Sequence, residues 1–282
     1  MAKSLLRADG VNLSYTMTSD KPTCLATVSL DAHGSASYEF LIDNTSTFDF
    51  SLDWLPTPSN IEPSVLHIGT LVTVIEPGAS ILFEWASKVS RVAPIVFDPN
   101  VRSAVMNDRK RYQGVIKKWL TISTVVKVSD EDLFWLYPGH TIHGIVQQWF
   151  DEAKSVSLIV VTKGAHGIDG FTRAGCYATV PALVVTVVDT VGAGDTVGAI
   201  MVEALIEKGL AQLQGDVLSA VLSRAAAAAA ITCSRAGAQP PTRADIEEFC
   251  IAASATPVLR AADPPLRTIS NLELPAGKLG EI

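Results

Sequence analysis

Residues 189–195 read Asp-Thr-Val-Gly-Ala-Gly-Asp, between a β-branched run at 184–188 and an amphipathic run at 196–208. This order predicts a strand, a tight glycine turn and a helix. Gly192 and Gly194 allow a sharp turn free of obstructing side chains, and the first helical turn presents unpaired N–H donors at the positive end of the helix dipole. Such a turn binds anions.

Asp195 stands beside this predicted anion site. A carboxylate there would repel a bound phosphate unless another group lay between them. A hydroxyl that attacks the phosphate is the natural candidate, with Asp195 accepting its proton. A simpler interpretation also fits the isolated motif, because Asp is a preferred helix N-cap.

The composition favours a cytoplasmic enzyme that acts on small molecules. The 282 residues are 48% hydrophobic and carry a net charge of −7, which allows a large core and argues against nucleic acid or an anionic membrane as partner. The chain shows no signal peptide and no uninterrupted apolar run near the roughly 18 residues of a membrane span. The cysteines lack zinc-type spacing and are expected to be reduced, mostly buried thiols: Cys24, Cys176, Cys233 and Cys250.

Strands and helices alternate regularly from Ser64 onward. Apolar runs predict strands at 65–71, 93–97, 124–128, 158–162 and 182–188. Apolar residues at helical spacing predict helices at 80–89, 109–120, 142–150, 196–208, 215–233 and from Thr242. Strands nearly free of polar residues, joined by helical crossovers, predict an α/β fold with a doubly wound parallel sheet. A hairpin at 168–172 and 177–180 is expected within this alternation.

The remaining segments predict a lid and a tail. Two β-rich runs at 24–30 and 37–42 predict a hairpin, to which 12–17 is expected to add a third strand. A small β-sheet at about 11–48 would then cover a site as a lid. We therefore expect one domain over 1–256 and a loosely ordered, proline-rich tail at 257–282.

The stretch at 189–195, D-T-x-G-A-G-D between a strand and a helix, resembles the signature of the ribokinase-like (PfkB) carbohydrate kinases. Further segments follow in the family's order: D-P-N-V-R at 98–102, K-V-S-D-E-D at 127–132, T-K-G-A-H-G at 162–167 and R-A-G-A at 235–238. The resemblance runs from about Gly10 to Thr242 and is closest to fructokinase-like members. It implies a ribokinase-like fold.

The resemblance implies ATP-dependent phosphorylation of a primary hydroxyl of a small sugar, fructose before others. Asp195 would act as the base, and Gly192, Ala193 and Gly194 would form the anion hole for the migrating phosphate. Two alternatives stay open: a kinase for 2-keto-3-deoxygluconate, ribose or a nucleoside, and an inactive nucleotide-binding pseudokinase.

Ligands of open parallel sheets bind beyond the carboxyl ends of the strands, where the other matching segments are predicted to lie. Asn100 and Arg102 offer an amide and a guanidinium that suit sugar hydroxyls or phosphate oxygens, although a proline turn with a surface Arg also explains them. The resemblance assigns these two to substrate binding. It assigns nucleotide binding to Thr162, Gly164, Gly167 and Lys127.

Two cation sites are implied by the resemblance alone. Ser129 and Asp132 replace the Asn and Glu of the family's N-x-x-E segment, which implies a Mg²⁺ role acting through water; the residues fit equally well as an N-cap and an acid that complements a helix dipole. Asp189 and the carbonyl of Val191 would bind a monovalent cation such as K⁺, with carbonyls of the loop at 235–238.

The sequence departs from the family pattern at its start. Family members open with a strand that carries a substrate-binding Asp and continue to a Gly-Gly-x-x-x-N segment, and neither precedes Gly10. We expect an N-terminal strand–helix unit to be absent, apolar surface to be uncovered, and turnover to be weak or lost. Because lid sheets of this family often pair between subunits, a homodimer through the lid is also expected.

Overall fold

The computed structural model describes residues 2–30 and 36–255. The strands are β1 Leu25–Leu30, β2 Ala36–Leu41, β3 Leu66–Gly69, β4 Ile95–Asp98, β5 Val125–Ser129, β6 Leu158–Thr162, β7 Ile168–Thr172 and β8 Tyr177–Val180. The α-helices are α1 Ala2–Ala8, α2 Pro58–Ile61, α3 Gly78–Val89, α4 Arg109–Leu120, α5 Asp130–Leu136, α6 Ile142–Glu152, α7 Ala193–Lys208, α8 Gly215–Cys233 and α9 Arg243–Ala255.

The central sheet confirms the predicted α/β core. Its six strands lie in the order β3-β4-β5-β6-β7-β8. Strands β3 to β6 are parallel, and helices connect them because parallel neighbours cannot be joined by a tight turn. Strands β7 and β8 form the predicted antiparallel hairpin at one edge, so the sheet as a whole is mixed.

Two sets of helices cover the two faces of the sheet. Helices α3 to α6 bury large side chains on one face, and α7 to α9 bury aliphatic and small side chains on the other. The alanine run at 225–230 is mostly buried against the sheet and α7 and forms a close-packed stripe.

Helix α8 is the one described helix that is long and apolar enough to cross a membrane by length and composition, with 19 residues and a mean hydropathy of 1.4. Of its most apolar window, 56% is buried within the protein. Leu218, Leu222 and Ala227 on this helix are wholly shielded from solvent. These contacts are those of a core helix.

The lid sheet contains β1 and β2 only, paired antiparallel as predicted; the turn between them lies outside the described residues. The third strand expected at 12–17 is wrong. The side chain of Asn12 accepts the Ser14 N–H at 2.9 Å, and the Thr16 N–H donates to the carbonyl of Leu13 at 3.0 Å. Local turns therefore use polar groups that a strand would offer to β1 or β2. The predicted tail at 257–282 also lies outside the described residues.

The strand predicted at 182–188 is also wrong. This segment forms no strand; near its end the N–H groups of Val188 and Asp189 donate to the carbonyl of Cys233. Val184 is fully exposed and Val187 is 61% exposed. β-branched residues favour a packed, pleated surface, and among the described residues no strand pairs with this run to supply one.

The cysteines match the expectation in one respect. All four are thiols rather than disulfides, as predicted. The expectation that they are mostly buried is wrong, since Cys250 is exposed and the other three are only partly covered.

Candidate active site

The predicted site segments meet at the carboxyl edge of the parallel strands. Gly69 at the end of β3 pairs with Asp98 at the end of β4, and Ser129 at the end of β5 pairs with Thr162 at the end of β6. Helix α7 begins above the same edge, because its first turn contacts Lys127 of β5. The parallel register therefore gathers segments that are far apart in sequence.

The glycine turn has the geometry of an anion site. Gly192 is the N-cap of α7 with a φ of 83°, a conformation that favours glycine. The N–H of Ala193 donates to Thr190, but the N–H groups of Gly194 and Asp195 have no acceptor among the described residues. These two donors lie at the positive end of a 16-residue helix.

Asp195 does not cap the helix, so the simpler interpretation of the motif is wrong. It occupies the third helical position after the N-cap Gly192, and that N-cap makes no side-chain hydrogen bond. The side chain of Asp195 is exposed and has no hydrogen-bond or ion-pair partner within the described part of the chain. It is free to accept a proton from a ligand.

Lys127 brings a cation to the anion site. Its Nζ lies 2.9 Å from Oδ2 of Asp98, and both side chains are almost fully buried. A Cβ built on Gly194 would stand only 2.7 Å from the same Nζ. The ammonium is therefore packed against the first turn of α7, where it adds positive charge to the free N–H donors.

Asn100 is joined to this cluster through Asp98, and Arg102 lies two residues further along the same loop. Oδ1 of Asp98 accepts the N–H of Asn100 at 3.1 Å. Asn100 has a left-handed φ of 40°, which Asn tolerates better than most residues. The N–H of Arg102 donates to the hydroxyl of Tyr112 at 3.2 Å, and its guanidinium donates to the carbonyl of Val101. Hydrogen bonds and contacts thus connect Asn100 to Gly194.

Ser129 is the N-cap of α5, because its Oγ accepts the N–H of Asp132 at 3.0 Å. Oδ1 of Asp132 in turn accepts the N–H of Val101 at 3.2 Å, which joins α5 to the loop after β4. Burial raises the pKa of Asp132, partly opposed by the hydrogen bond with Ser129 and by the charge of Lys127. A carboxylate that burial disfavours would be stabilised by a nearby cation.

The segment at 162–167 forms a compact turn beside the end of β5. The Thr162 hydroxyl donates to the carbonyl of Val128 at 3.4 Å, and the Lys163 N–H donates to the carbonyl of Gly167 at 2.8 Å. A short 3₁₀ helix begins at Gly164. No hydrogen bond joins this turn to 192–195 among the residues described, although both segments lie at the same edge of the sheet.

Asp189 ties the signature to the loop after α8. Its Oδ1 accepts the N–H of Val191, and its Oδ2 accepts the N–H of Gly237, both at 3.0 Å. These hydrogen bonds lower the pKa of Asp189. Within 2–30 and 36–255, no group of three or more His, Cys, Asp or Glu side chains could hold a metal ion by itself.

Two residues at this site, Asp98 and His67, have no predicted role from the sequence. Asp98 is a buried acid at the end of an apolar strand, and that position alone could have marked it. His67 lies on β3 beside Gly198 of α7, and a lone His in an apolar run carries no signal of that contact.

A family model described as "pfkB family carbohydrate kinase" matches residues 1–245. The chain belongs to this family. A pfkB relative named fructokinase, from Rhizobium leguminosarum bv. trifolii, is 32% identical over 194 residues, which cover 69% of this chain and 58% of that protein. The chain therefore spans little more than half of that relative's length.

Solved structures show that the chain shares the pfkB fold. Fructokinase from Xylella fastidiosa, crystallised with bound ATP, gives a TM-score of 0.79 at 24% identity, covering 89% of this chain and 80% of that one. Fructokinase from Vibrio cholerae O395, in a form with fructose, ADP and calcium ion bound, gives a TM-score of 0.74 at 22% identity, covering 88% and 80%.

Proposed function

We propose that this pfkB protein is an ATP-dependent kinase that phosphorylates a primary hydroxyl of fructose, with Asp195 as the base. The observation that carries the proposal is the juxtaposition at the start of α7. The unpaired carboxylate of Asp195 directly follows Gly194, against which the Lys127 ammonium is packed. A proton acceptor and an anion site are therefore adjacent.

Phosphoryl transfer does not require a strong base. Its transition state is loose, so the proton of the attacking hydroxyl leaves late and the acid need only orient that hydroxyl. The free N–H groups of Gly194 and Asp195 would hold the migrating phosphate, within the proposed anion hole of Gly192, Ala193 and Gly194. The Lys127 ammonium would offset charge on the phosphate oxygens.

The nucleotide is proposed to lie across the turn of Thr162, Gly164 and Gly167, with its phosphates toward Lys127. The relative from Xylella fastidiosa that carries ATP supports this choice of donor. The turn exposes Gly164 and keeps its own backbone paired through Lys163 and Gly167. A ligand can therefore approach the backbone closely at that point.

The oxygen donors near Asp132 and Asp189 suit Mg²⁺ and a monovalent cation, respectively. Mg²⁺ is usually held by one or two carboxylates together with substrate phosphates, and its bound form would neutralise phosphate charge. Asp132, whose carboxylate is disfavoured by burial, would hold it through water with Ser129 nearby. Asp189 stays ionised and, with the carbonyl of Val191, would hold a monovalent cation such as K⁺.

Fructose is proposed as the acceptor because the relatives carry the name fructokinase and one solved structure contains fructose with ADP. Asn100 and Arg102 would contact the sugar or the phosphate. A panel of fructose, 2-keto-3-deoxygluconate, ribose and a nucleoside separates the alternatives. If the protein prefers another acceptor, the proposed substrate is wrong, but the proposed phosphoryl transfer with Asp195 as base still stands.

The test measures ADP release coupled to each acceptor in the wild type and in Asp195→Asn. We expect a weak fructose-dependent rate that falls by about 10²–10⁴-fold in the variant, the usual contribution of a general base. ATP binding by calorimetry should be unchanged. Asp216→Asn, an exposed acid in the first turn of α8, is the matched control and should keep the wild-type rate.

Two outcomes would contradict the proposal. Activity that survives Asp195→Asn would remove the assigned base. ATP binding without ADP release for any acceptor would identify a nucleotide-binding pseudokinase instead.

We also propose that residues 1–256 fold as one domain and that two copies pair through the lid sheet. Light scattering should then report a dimer, and a charge introduced on the lid by Phe40→Lys should favour the monomer.

A further inference from the structure

His67 on β3 has no role in the proposed mechanism, although it lies close enough to Asp195 for the charge of that carboxylate to act on it. His67 pairs with Val96, and Gly69 pairs with Asp98, in the parallel register of β3 and β4. Alternate residues of a strand share a face, and so do paired residues of parallel neighbours. His67 therefore lies on the same face of the sheet as Asp98 and Lys127, which is the face that α7 covers.

Gly198 makes room for the imidazole. A Cβ built on Gly198 would lie 3.0 Å from Nε2 of His67. Gly198 follows Gly194 by four residues and Asp195 by three, so the three positions share one stripe of α7. Two glycines one turn apart thus admit two side chains from the sheet, Lys127 at Gly194 and His67 at Gly198, with Asp195 on the same stripe.

The His67 ring is neutral and available. Although the residue as a whole is exposed at the sheet edge, its Nε2 end is pressed against α7, and this desolvation lowers the pKa of His67. The carboxylates of Asp98 and Asp195 oppose that shift, while the Lys127 ammonium adds to it. A neutral imidazole has one N–H donor and one acceptor nitrogen, and neither has a hydrogen-bond partner within the described residues.

We propose that His67 determines acceptor specificity: its neutral imidazole hydrogen-bonds a second hydroxyl of the acceptor, next to the hydroxyl that Asp195 orients. This inference rests on the proposed sugar-kinase function and narrows the substrate class to acceptors with a hydroxyl beside the reacting one. A site that hydrogen-bonds a hydroxyl strongly rejects analogues that lack it, because its own polar group is then left unpaired.

The first test compares KM values in the wild type, His67→Ala and the matched control His140→Ala, whose ring lies in the loop before α6 and contacts Tyr137. His67→Ala should raise the KM for fructose by about tenfold, the loss expected for one neutral hydrogen bond, and leave the KM for ATP unchanged. The wild type should reject the monodeoxy fructose that lacks the hydroxyl bound by His67. The His67→Ala variant should use that analogue as well as it uses fructose. A fall in kcat with the fructose KM unaltered would overturn the proposal.

The second test is a double-mutant cycle that uses the close approach to Gly198. Gly198→Ala should displace the His67 ring and raise the fructose KM in the wild-type background. In the His67→Ala background the added methyl meets no ring, so the second substitution should have no further effect. An equal penalty in both backgrounds would mean that Gly198→Ala acts through the helix, and would overturn the proposed contact.

A binding readout separates this inference from the kinase assignment. Fructose should raise the melting temperature of the wild type in the presence of ADP and raise it much less in His67→Ala. If fructose binds and no turnover occurs, the kinase function fails while the role of His67 stands. If His67→Ala keeps the full fructose-induced shift, or the wild type shows none, the role of His67 is refuted.

Discussion

The two faces of the central sheet are built from side chains of different size. Aromatic rings dominate the face under α3 to α6, where Trp119 stacks on Phe97 at 5.9 Å and Trp149 is fully buried. Among the described residues, the face under α7 to α9 has no fully buried aromatic side chain, since Phe249 is only partly buried there, and it relies mainly on Val, Leu and Ala. Small side chains let helices approach the sheet closely, and that approach brings Gly194 to Lys127.

Stability and chemistry are located on different faces of this sheet. The aromatic face buries the larger side chains and should contribute most of the hydrophobic stabilisation. The small-residue face buries less apolar surface. It brings together in space a buried ion pair and, from a distant part of the sequence, a free helix end with an unpaired acid. Substitutions on the two faces should therefore separate folding from turnover.

The largest expected effect is that of Lys127→Met on the small-residue face. It leaves the buried carboxylate of Asp98 without its partner, which should lower the free energy of unfolding by about 3–5 kcal/mol and abolish turnover. Urea unfolding and the coupled assay measure the two losses. The double variant Asp98→Asn with Lys127→Met should recover much of the stability and none of the activity; recovered activity would mean that Lys127 serves folding alone.

Trp119→Ala tests the aromatic face. It removes a fully buried ring and the hydrogen bond from its Nε1 to the Thr73 carbonyl at 3.0 Å, so a loss of about 3–5 kcal/mol in unfolding free energy is expected. The kcat of the folded fraction should stay within about twofold, because this ring packs in the cluster on the opposite face of the sheet from α7. A loss of turnover in fully folded protein would break the division between the faces.

Ala227→Leu tests whether the small residues of α8 are needed for close packing. Ala227 is wholly shielded from solvent, and a larger side chain should lower the free energy of unfolding by about 1–3 kcal/mol through overpacking. Ser223→Leu, at an exposed position of the same helix, is the control and should change it by at most about 0.5 kcal/mol. Equal effects in thermal melts would argue against tight packing.

The smallest effect concerns the pH dependence contributed by Asp132. Because burial raises its pKa above the ordinary value of 3.8, the folded state favours the protonated acid. Its contribution to stability is full below that value and is lost as pH rises through the folded pKa. Melting temperatures of the wild type should therefore fall relative to Asp132→Asn as pH rises from about 4. A constant difference between pH 4 and pH 8 would show that the pKa is not raised.

Much of the fold follows from patterns that short segments carry alone. The helices at 109–120 and 215–233 and the strands at 158–162, 168–172 and 177–180 match the structure to the residue. Amphipathic spacing, apolar strands and polar caps are local, so neighbours in sequence suffice to reveal them. The motifs at 98–102, 127–132 and 189–195 are also local, because each is a short run that resembles a family segment residue by residue.

The strand predictions were wrong for segments whose structure depends on a neighbouring strand, which the local sequence does not reveal. The run at 182–188 has strand-forming residues but no neighbouring strand in the described part of the chain, and 12–17 satisfies its polar groups in its own turns. The site shows the same limit. Residues at 189–195 were sufficient to propose an acid beside an anion site, but the contacts of Lys127 with Gly194 and of His67 with Gly198 arise only when α7 lies against the sheet. Such contacts depend on distances between elements far apart in the chain, which packing sets and local sequence does not record.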